Sequence, residues 1–288
     1  MIAAANLDLS SEWRTLETVP VPSVTSFAFR VFEKLSLRYC VKVTSFEFLA
    51  KFNKLTLVDL YGANVRDCHL DALSTSLQLV AIDLGYCRKL TSTGLRDFLR
   101  TQASLRGIGL ASCGVNGDAV KDEVMCSLSN VRSELVTIDL SECREITVYG
   151  LTDVLRYTNK LREISIQGLD WRIPHALKEL VGSYACQYLR VLEIGPLTES
   201  EPMELDEVLP AIVQFKDLEL LSLFNFVPGK NINITLMTNL QNLRLINIWQ
   251  CHPEIENVIR SGLTHVKLSF SPDSLLSGMI ELFPNASV

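Results

Sequence analysis

A short hydrophobic phrase recurs along most of the chain and constrains its fold more than any other feature. The phrase is apolar-x-x-apolar-x-apolar-x-x-Cys, and nearly identical copies begin at Leu79, Leu105 and Leu135. Ten copies, some with another residue in place of the Cys, start at residues 32, 55, 79, 105, 135, 161, 189, 218, 243 and 263. Eight of the nine spacings between them fall within the roughly 20 to 29 residues of a leucine-rich repeat.

Each phrase predicts a strand, and the segment after it predicts a return helix. The apolar-x-apolar centre is typical of a short strand with one buried face. After Cys87, apolar residues follow at positions 90, 95, 98 and 99, and the same offsets recur after Cys143. That spacing places them on one face of a helix. Stacking such units predicts the α/β class, as a leucine-rich repeat solenoid (horseshoe) with a parallel concave β-sheet, convex helices and about ten repeats.

Two copies carry the most specific motif. They read Leu84-Gly85-Tyr86-Cys87-Arg88-Lys89-Leu90-Thr91 and Leu140-Ser141-Glu142-Cys143-Arg144-Glu145-Ile146-Thr147, and Gly-Leu follows two residues after each. This pattern resembles the cysteine-containing leucine-rich repeats of the F-box/leucine-rich-repeat substrate receptors and of the antagonist-of-mitotic-exit-network family. The resemblance extends over residues 32–271 and weakens after residue 160. It implies a repeat domain that binds proteins and, as an alternative function, a substrate-recognition subunit or adaptor of a ubiquitin ligase.

The flanking segments are expected to cap the apolar ends of the array. We predict an N-terminal cap at residues 1–31, leucine-rich repeats at 32–270, and a C-terminal cap at 271–288 that contains a helix after Asp273. The first segment is shorter than an F-box, and its Val19-Pro20-Val21-Pro22 sequence breaks any helix. A complete F-box is therefore not expected.

Composition and charge exclude several classes of function. Hydrophobic residues make up 48% of the chain, which is enough for a folded core. The 27 Lys and Arg residues against 33 Asp and Glu give a net charge of −6, which disfavours direct binding to nucleic acid. No apolar run reaches the roughly 20 residues that cross a bilayer, and the N-terminus lacks the basic region of a secretory signal. We expect no membrane insertion and an intracellular location, with the cytoplasm favoured over the nucleus or an organelle.

The residues that most often carry chemistry have structural interpretations here. Five of the eight cysteines end a phrase and are predicted to be buried and reduced: Cys40, Cys87, Cys113, Cys143 and Cys251. The four histidines have no partners at metal-ligand spacing, and nucleotide-binding, hydrolase and metalloprotease motifs are missing. We therefore predict a protein that is not an enzyme and has no catalytic residue, metal or cofactor.

The predicted concave face is the candidate binding surface. Acidic residues recur at the fifth position of the phrase, and aromatic residues accompany the first and last strands. The candidate partner-binding residues are Tyr39, Asp59, Tyr61, Asp83, Tyr86, Asp139, Glu142, Glu163, Glu193, Phe224 and Trp249. Aromatic side chains beside charges are typical of binding hot spots, and a solvated face is the alternative interpretation. We predict a scaffold subunit that docks within a larger protein assembly, with a partner that presents a basic segment.

Overall fold

A computed structural model of the chain describes residues 5–8, 32–74, 79–230, 232–274 and 276. These residues belong to two compact units. The first comprises the described residues up to Leu135 together with Cys143–Ile146, and the second comprises Val136–Glu142 and the described residues from Thr147 onward. Each unit repeats the same pattern of a strand followed by a return segment.

The first unit contains parallel strands in the order in which they occur along the chain. They are β1 (Ala5–Asp8), β2 (Phe32–Ser36), β3 (Leu57–Asp59), β4 (Ala81–Asp83) and β5 (Gly107–Gly109). The second apolar residue of each phrase pairs with its equivalent in the next, so that Val58 lies between Leu35 and Ile82. The sequence register of the phrases is therefore the register of this sheet.

The second unit continues the pattern with its own parallel strands. They are β6 (Thr137–Asp139), β7 (Glu163–Ser165), β8 (Val191–Ile194), β10 (Leu220–Phe224), β12 (Leu245–Trp249) and β13 (Lys267–Ser269). Two short strands, β9 (Met203–Glu204) and β11 (Phe226–Val227), pair separately. All ten predicted phrases thus contain or adjoin a strand.

The last phrase lies two residues later than predicted. Ile246 pairs with Leu268 and not with Val266, the residue that occupies the equivalent position in the predicted phrase. The reason is that Leu263, the predicted start of this phrase, ends the preceding helix. Its N–H donates to the carbonyl of Ile259 at 2.8 Å, and its side chain is buried.

Seven α-helices occur in the described part of the chain. They are α1 (Asp67–Ser74), α2 (Ser92–Thr101), α3 (Asp122–Ser127), α4 (Val148–Tyr157), α5 (Ile173–Gly182), α6 (Leu205–Ile212) and α7 (Pro253–Gly262). The predicted apolar faces are confirmed: α2 buries Leu95, Phe98 and Leu99, and α4 buries Leu151 with its neighbours one turn later. Short 3-10 turns occupy the other returns, including Glu47–Lys51 and Ile234–Asn239.

The predicted caps fall largely outside the described residues. Of the N-terminal cap, Ala5–Asp8 is described, and it forms β1 beside β2, a strand that the phrase pattern did not predict. The region in which an F-box was not expected and the helix predicted after Asp273 lie mostly outside the described residues.

The cysteines that end the phrases connect successive repeats. The Sγ of Cys87 donates to the carbonyl of Leu60 at 3.1 Å, and the Sγ of Cys113 donates to that of Leu84 at 2.9 Å. Cys143 and Cys251 make the same bond to Leu110 and Leu223, each at 3.3 Å. We call this set the cysteine ladder; Cys87, Cys113 and Cys143 are buried and Cys251 is half-buried.

The environment of three of these thiols, those of Cys87, Cys113 and Cys251, favours the protonated form. Burial raises the pKa of Cys113, and it raises the pKa of Cys251 to about 11. All eight cysteines are reduced thiols, and Cys40 is buried like most of the ladder. The predicted burial is therefore confirmed at four of the five positions, and the ladder explains why a small apolar donor ends the phrase.

We expect Cys113→Ala to lower the free energy of unfolding by about 1 to 2 kcal/mol, because the buried sulfur and its bond to the Leu84 carbonyl are lost. Urea unfolding measures the change. The control is Cys68→Ala, since Cys68 is exposed and its loss should change stability by less than about 0.5 kcal/mol. Equal effects of the two substitutions would contradict a stabilising ladder.

Candidate functional site

Three tyrosines that follow consecutive strands of the first unit lie in contact. The rings of Tyr39 and Tyr61 meet edge to face with their centroids 5.4 Å apart, and those of Tyr61 and Tyr86 are 5.1 Å apart. Tyr39 is 43% exposed, while Tyr61 and Tyr86 are half-buried. We call this set the tyrosine row.

The backbone at two of these tyrosines has a conformation that such residues rarely adopt. The eighth position of the phrase is left-handed in eight repeats, and the residues there are Tyr39, Gly62, Tyr86, Ser112, Glu142, Gly168, Asn225 and Gln250. The value of φ is 60° at Tyr39 and 57° at Tyr86. A bulky residue in this region costs about 1 to 3 kcal/mol, which glycine avoids. The fold therefore keeps two tyrosines where Gly62 shows that glycine fits.

Glycines in the neighbouring repeats make room for the rings. A Cβ on Gly62 would lie 2.7 Å from Cδ1 of Tyr39, and a Cβ on Gly85 would lie 2.7 Å from Cδ2 of Tyr61. A side chain at either position would displace the ring above it. In the sequence, the adjacent pairs Tyr61-Gly62 and Gly85-Tyr86 are the features from which this packing could be predicted.

Arg38 supports the row and was not among the predicted site residues. Its Cζ lies 4.0 Å from the centroid of the Tyr61 ring, and its Nη1 lies 3.3 Å from Oδ2 of Asp59 and 3.5 Å from Oδ2 of Asp83. Burial alone lowers the pKa of Arg38, but attraction by the two carboxylates outweighs this effect and raises it. Arg38 occupies the same position in its phrase as Tyr61 does in the next phrase. This shared position is the sequence feature that could have identified Arg38 as a site residue.

The two acidic residues of this region close turns at the ends of strands. Oδ1 of Asp59 accepts the N–H of Tyr61 at 3.0 Å, and Oδ1 of Asp83 accepts the N–H of Gly85 at 2.9 Å. Each residue is only 5% exposed. The sequence led us to expect an exposed acidic surface here. The structure instead buries these carboxylates, because the turn and Arg38 use their oxygens.

Asp139 builds the same turn in the second unit. Its Oδ1 accepts the N–H of Ser141 at 2.9 Å and the hydroxyl of Ser141 at 2.6 Å, and it is 8% exposed. On the next strand, Oε2 of Glu163 accepts the hydroxyl of Thr137 at 2.8 Å. Burial raises the pKa of Glu163, so this carboxylate too lies in a shielded position.

Three further candidate residues of the second unit lie at the ends of strands. Glu142 has a left-handed backbone and donates its N–H to the carbonyl of Gln167 at 2.7 Å. Phe224 and Trp249 pair in register on neighbouring strands, and both are half-buried. These positions agree with the predicted columns but lie in a different unit from the tyrosine row.

The chain after β13 turns back across the sheet of the second unit. Asn247 fixes the turn, since its Oδ1 accepts the N–H of Ser271 at 2.9 Å and its Nδ2 donates to the carbonyl of Ser271 at 3.0 Å. The hydroxyl of Ser274 then donates to Oε2 of Glu193 at 2.6 Å. We call Ser271–Ser274 the returning segment. It reaches from β13 past β12 and β10 to β8, and Glu193 is fully buried.

The tyrosine row borders an accessible depression, which we call the tyrosine groove. Its volume is about 510 Å³, and its walls include the row together with Val41, Asn64, Arg88 and Lys89. Val41 is 57% exposed. The carboxylates of Asp59 and Asp83 are not among the lining groups, so the groove combines aromatic, apolar and cationic surface.

The described residues contain no cluster of three or more His, Cys, Asp or Glu side chains that could hold a metal ion. In this part of the chain, no helix combines the length and the apolar character needed to span a membrane.

His69 has a structural role: its Nδ1 accepts the N–H of Arg66 at 3.2 Å, and burial lowers its pKa.

Comparison with known proteins supports the fold. No known protein family and no curated protein matches the sequence. The leucine-rich repeat-containing protein LegL7 from Legionella pneumophila superposes with a TM-score of 0.52 at 14% identity, over 92% of this chain and 91% of LegL7. An internalin, InlF from Listeria monocytogenes, gives a TM-score of 0.47 at 14% identity, over 86% of this chain and 76% of InlF. The likeness to LegL7, together with the strand order, confirms the predicted α/β leucine-rich repeat fold class.

Replacement of Asp83 tests the role of the buried carboxylates. We expect Asp83→Ala to lower the free energy of unfolding by about 2 to 3 kcal/mol, because the N–H of Gly85 and the guanidinium of Arg38 each lose a charged partner. Urea unfolding measures the change. Asp118→Ala is the matched control, since Asp118 is exposed. A loss no larger than that of the control would show that the carboxylate is not needed for the turn.

Replacement of Asn247 tests the attachment of the returning segment. We expect Asn247→Ala to accelerate backbone hydrogen exchange around Ser271 at least about tenfold, since two hydrogen bonds to that residue disappear. Exchange measured by mass spectrometry resolves this region. Asn242→Ala serves as the control, because Asn242 is exposed and its side chain makes only long hydrogen bonds. Unchanged exchange in the Asn247 variant would contradict the assigned attachment.

Proposed function

We propose that the protein is a non-catalytic interaction scaffold that binds a partner protein through the tyrosine groove. The observation that carries this proposal is the left-handed backbone of Tyr39 and Tyr86. Such strain persists where the surrounding structure enforces it, and it concentrates at functional positions. Two strained tyrosines in one row, with Gly62 making room for the ring of Tyr39, support a role that glycine or asparagine cannot fill.

The tyrosine row has the physical properties of a binding hot spot. Tyrosine offers a large contact area with few rotatable bonds, and rings already packed against one another lose little further freedom when a partner binds. Arg38 and the glycines beneath the rings fix their orientation before binding. The exposed Val41 adds apolar surface at the edge of the groove.

The finer parts of the proposal concern the setting in which the scaffold acts. We place it in an intracellular assembly, which the reduced state of all eight cysteines supports. The cysteine ladder favours a second candidate, the ubiquitin-ligase adaptor, because the sequence resembles the cysteine-containing repeats of such receptors. Co-purification from native cells distinguishes them. A cullin with an Skp1-type adaptor would favour the ligase role, and a large stable complex would favour the scaffold.

A double variant, Tyr39→Asn with Tyr86→Asn, tests the groove. Asparagine tolerates the left-handed backbone, so we expect the thermal stability to be retained while recovery of the native partner falls at least about tenfold. Quantitative co-purification with mass spectrometry measures recovery, and thermal melts measure stability. The control replaces Tyr149 and Tyr184, both 72% exposed and both outside the groove, by asparagine. Partner recovery equal to that of the control would remove the groove from the interface.

A further inference from the structure

A second depression lies beside the tyrosine groove and shares two of its residues. Its volume is about 650 Å³, and Arg88 and Lys89 line both depressions. The walls of the second one also carry Arg66 and Lys121, and all four cationic residues are exposed. We call it the basic groove.

The positive charge of the basic groove is only partly balanced by its own acidic residues. Asp67 lies on the wall, but its two carboxylate oxygens accept the N–H of Thr91 at 3.0 Å and the hydroxyl of Thr91 at 2.6 Å. Asp118 is the other acidic lining residue. Four cations against two aspartates make this surface positive in a chain whose net charge is −6. The charge of the groove is therefore opposite in sign to the net charge of the chain.

The backbone segments that carry three of these cations, Arg66, Arg88 and Lys89, are held in place. Arg66 and Lys89 form a parallel β-bridge, which places these two residues on adjacent backbone segments. The N–H of Arg66 is fixed by Nδ1 of His69. Arg88 and Lys89 lie between the buried residues Cys87 and Leu90, which anchor the loop that carries them. Fixed backbone positions leave only side-chain freedom to be lost when these residues bind an anion.

Apolar surface accompanies the charge in both grooves. Val115, on the wall of the basic groove, is 63% exposed, and Val41 borders the tyrosine groove. A protein surface that binds the phosphates of a nucleic acid relies on cations. A surface that combines aromatic, aliphatic and cationic residues instead complements a polypeptide with both apolar and acidic side chains.

We infer that the occupant of the two grooves is an acidic segment of a partner protein. Its apolar side chains contact the tyrosine row, and its Asp and Glu carboxylates pair with Arg66, Arg88, Lys89 and Lys121. This inference rests on the proposed function, because it takes the tyrosine groove as the contact surface. It reverses the partner charge expected from the sequence, since four of the carboxylates that suggested a basic segment, those of Asp59, Asp83, Asp139 and Glu193, are buried.

Fluorescence anisotropy with a labelled peptide of alternating Glu and Tyr residues tests the inference on the full chain. We expect the peptide to bind more weakly as salt is added. The affinity of the double variant Arg88→Glu with Lys89→Glu for the peptide should be at least about tenfold lower than that of the unmodified chain. The matched control, Lys54→Glu with Arg100→Glu, makes the same change in net charge at exposed residues outside both grooves. It should bind the peptide within about twofold of the unmodified chain.

Further probes separate the possible failures. A peptide of alternating Lys and Tyr that binds as well as the acidic one would overturn the inference, and so would tighter binding of a single-stranded DNA. Recovery of the native partner distinguishes a wrong partner charge from a wrong interface. If the tyrosine variant loses the partner and the Arg88/Lys89 variant keeps it, the acidic partner is wrong and the scaffold interface stands. If both variants keep the partner, the tyrosine groove itself is not the interface.

Discussion

Direct pairing of equivalent phrase positions across parallel strands is the constraint on which the local structure depends. Because Leu35, Val58 and Ile82 align in register, the residues that follow each of them also become neighbours in space. Cys87 and Cys113 reinforce this alignment by bonding to the carbonyls of the preceding phrases. A residue type that recurs in consecutive phrases therefore produces a contiguous column, whereas the tyrosine row joins the eighth position of two phrases, at Tyr39 and Tyr86, with the seventh position of the phrase between them, at Tyr61.

The turn that ends each strand creates a conflict between stability and surface chemistry. The eighth position of the phrase lies in this turn and requires a left-handed backbone, for which Gly62, Gly168 and Asn225 are suited. Tyr39 and Tyr86 meet the same requirement at a cost in free energy. The buried bonds beneath the row, including those of Asp83 to Gly85 and Arg38, hold the backbone in place. Stability supplied by the buried turn thus permits strained aromatic residues at the surface.

The repeat pattern was sufficient to predict the strands and the faces of α2 and α4, because burial imposes a strict period on apolar residues. It failed at the last phrase, where Leu263 fits the pattern yet ends α7. Exposure of the acidic column was also mispredicted. Strand alternation indicates the side of the sheet on which Asp59 lies, but it does not reveal that its carboxylate bonds to a backbone N–H two residues later. The contact of Ser274 with Glu193 spans 81 residues and leaves no periodic signal.

The mispredicted exposure also explains why net charge is a poor guide to the partner. A carboxylate that accepts a backbone N–H and faces a guanidinium adds to the count of acidic residues but contributes little accessible negative surface. Asp59 and Asp83 do this beneath the tyrosine row, while Asp67 at the wall of the basic groove bonds to the N–H and hydroxyl of Thr91 and stays half-exposed. The four cations of the basic groove stay exposed, because long flexible side chains keep their charge in water. The accessible charge of this region is therefore opposite in sign to that of the chain, and accessible charge determines which partners it attracts.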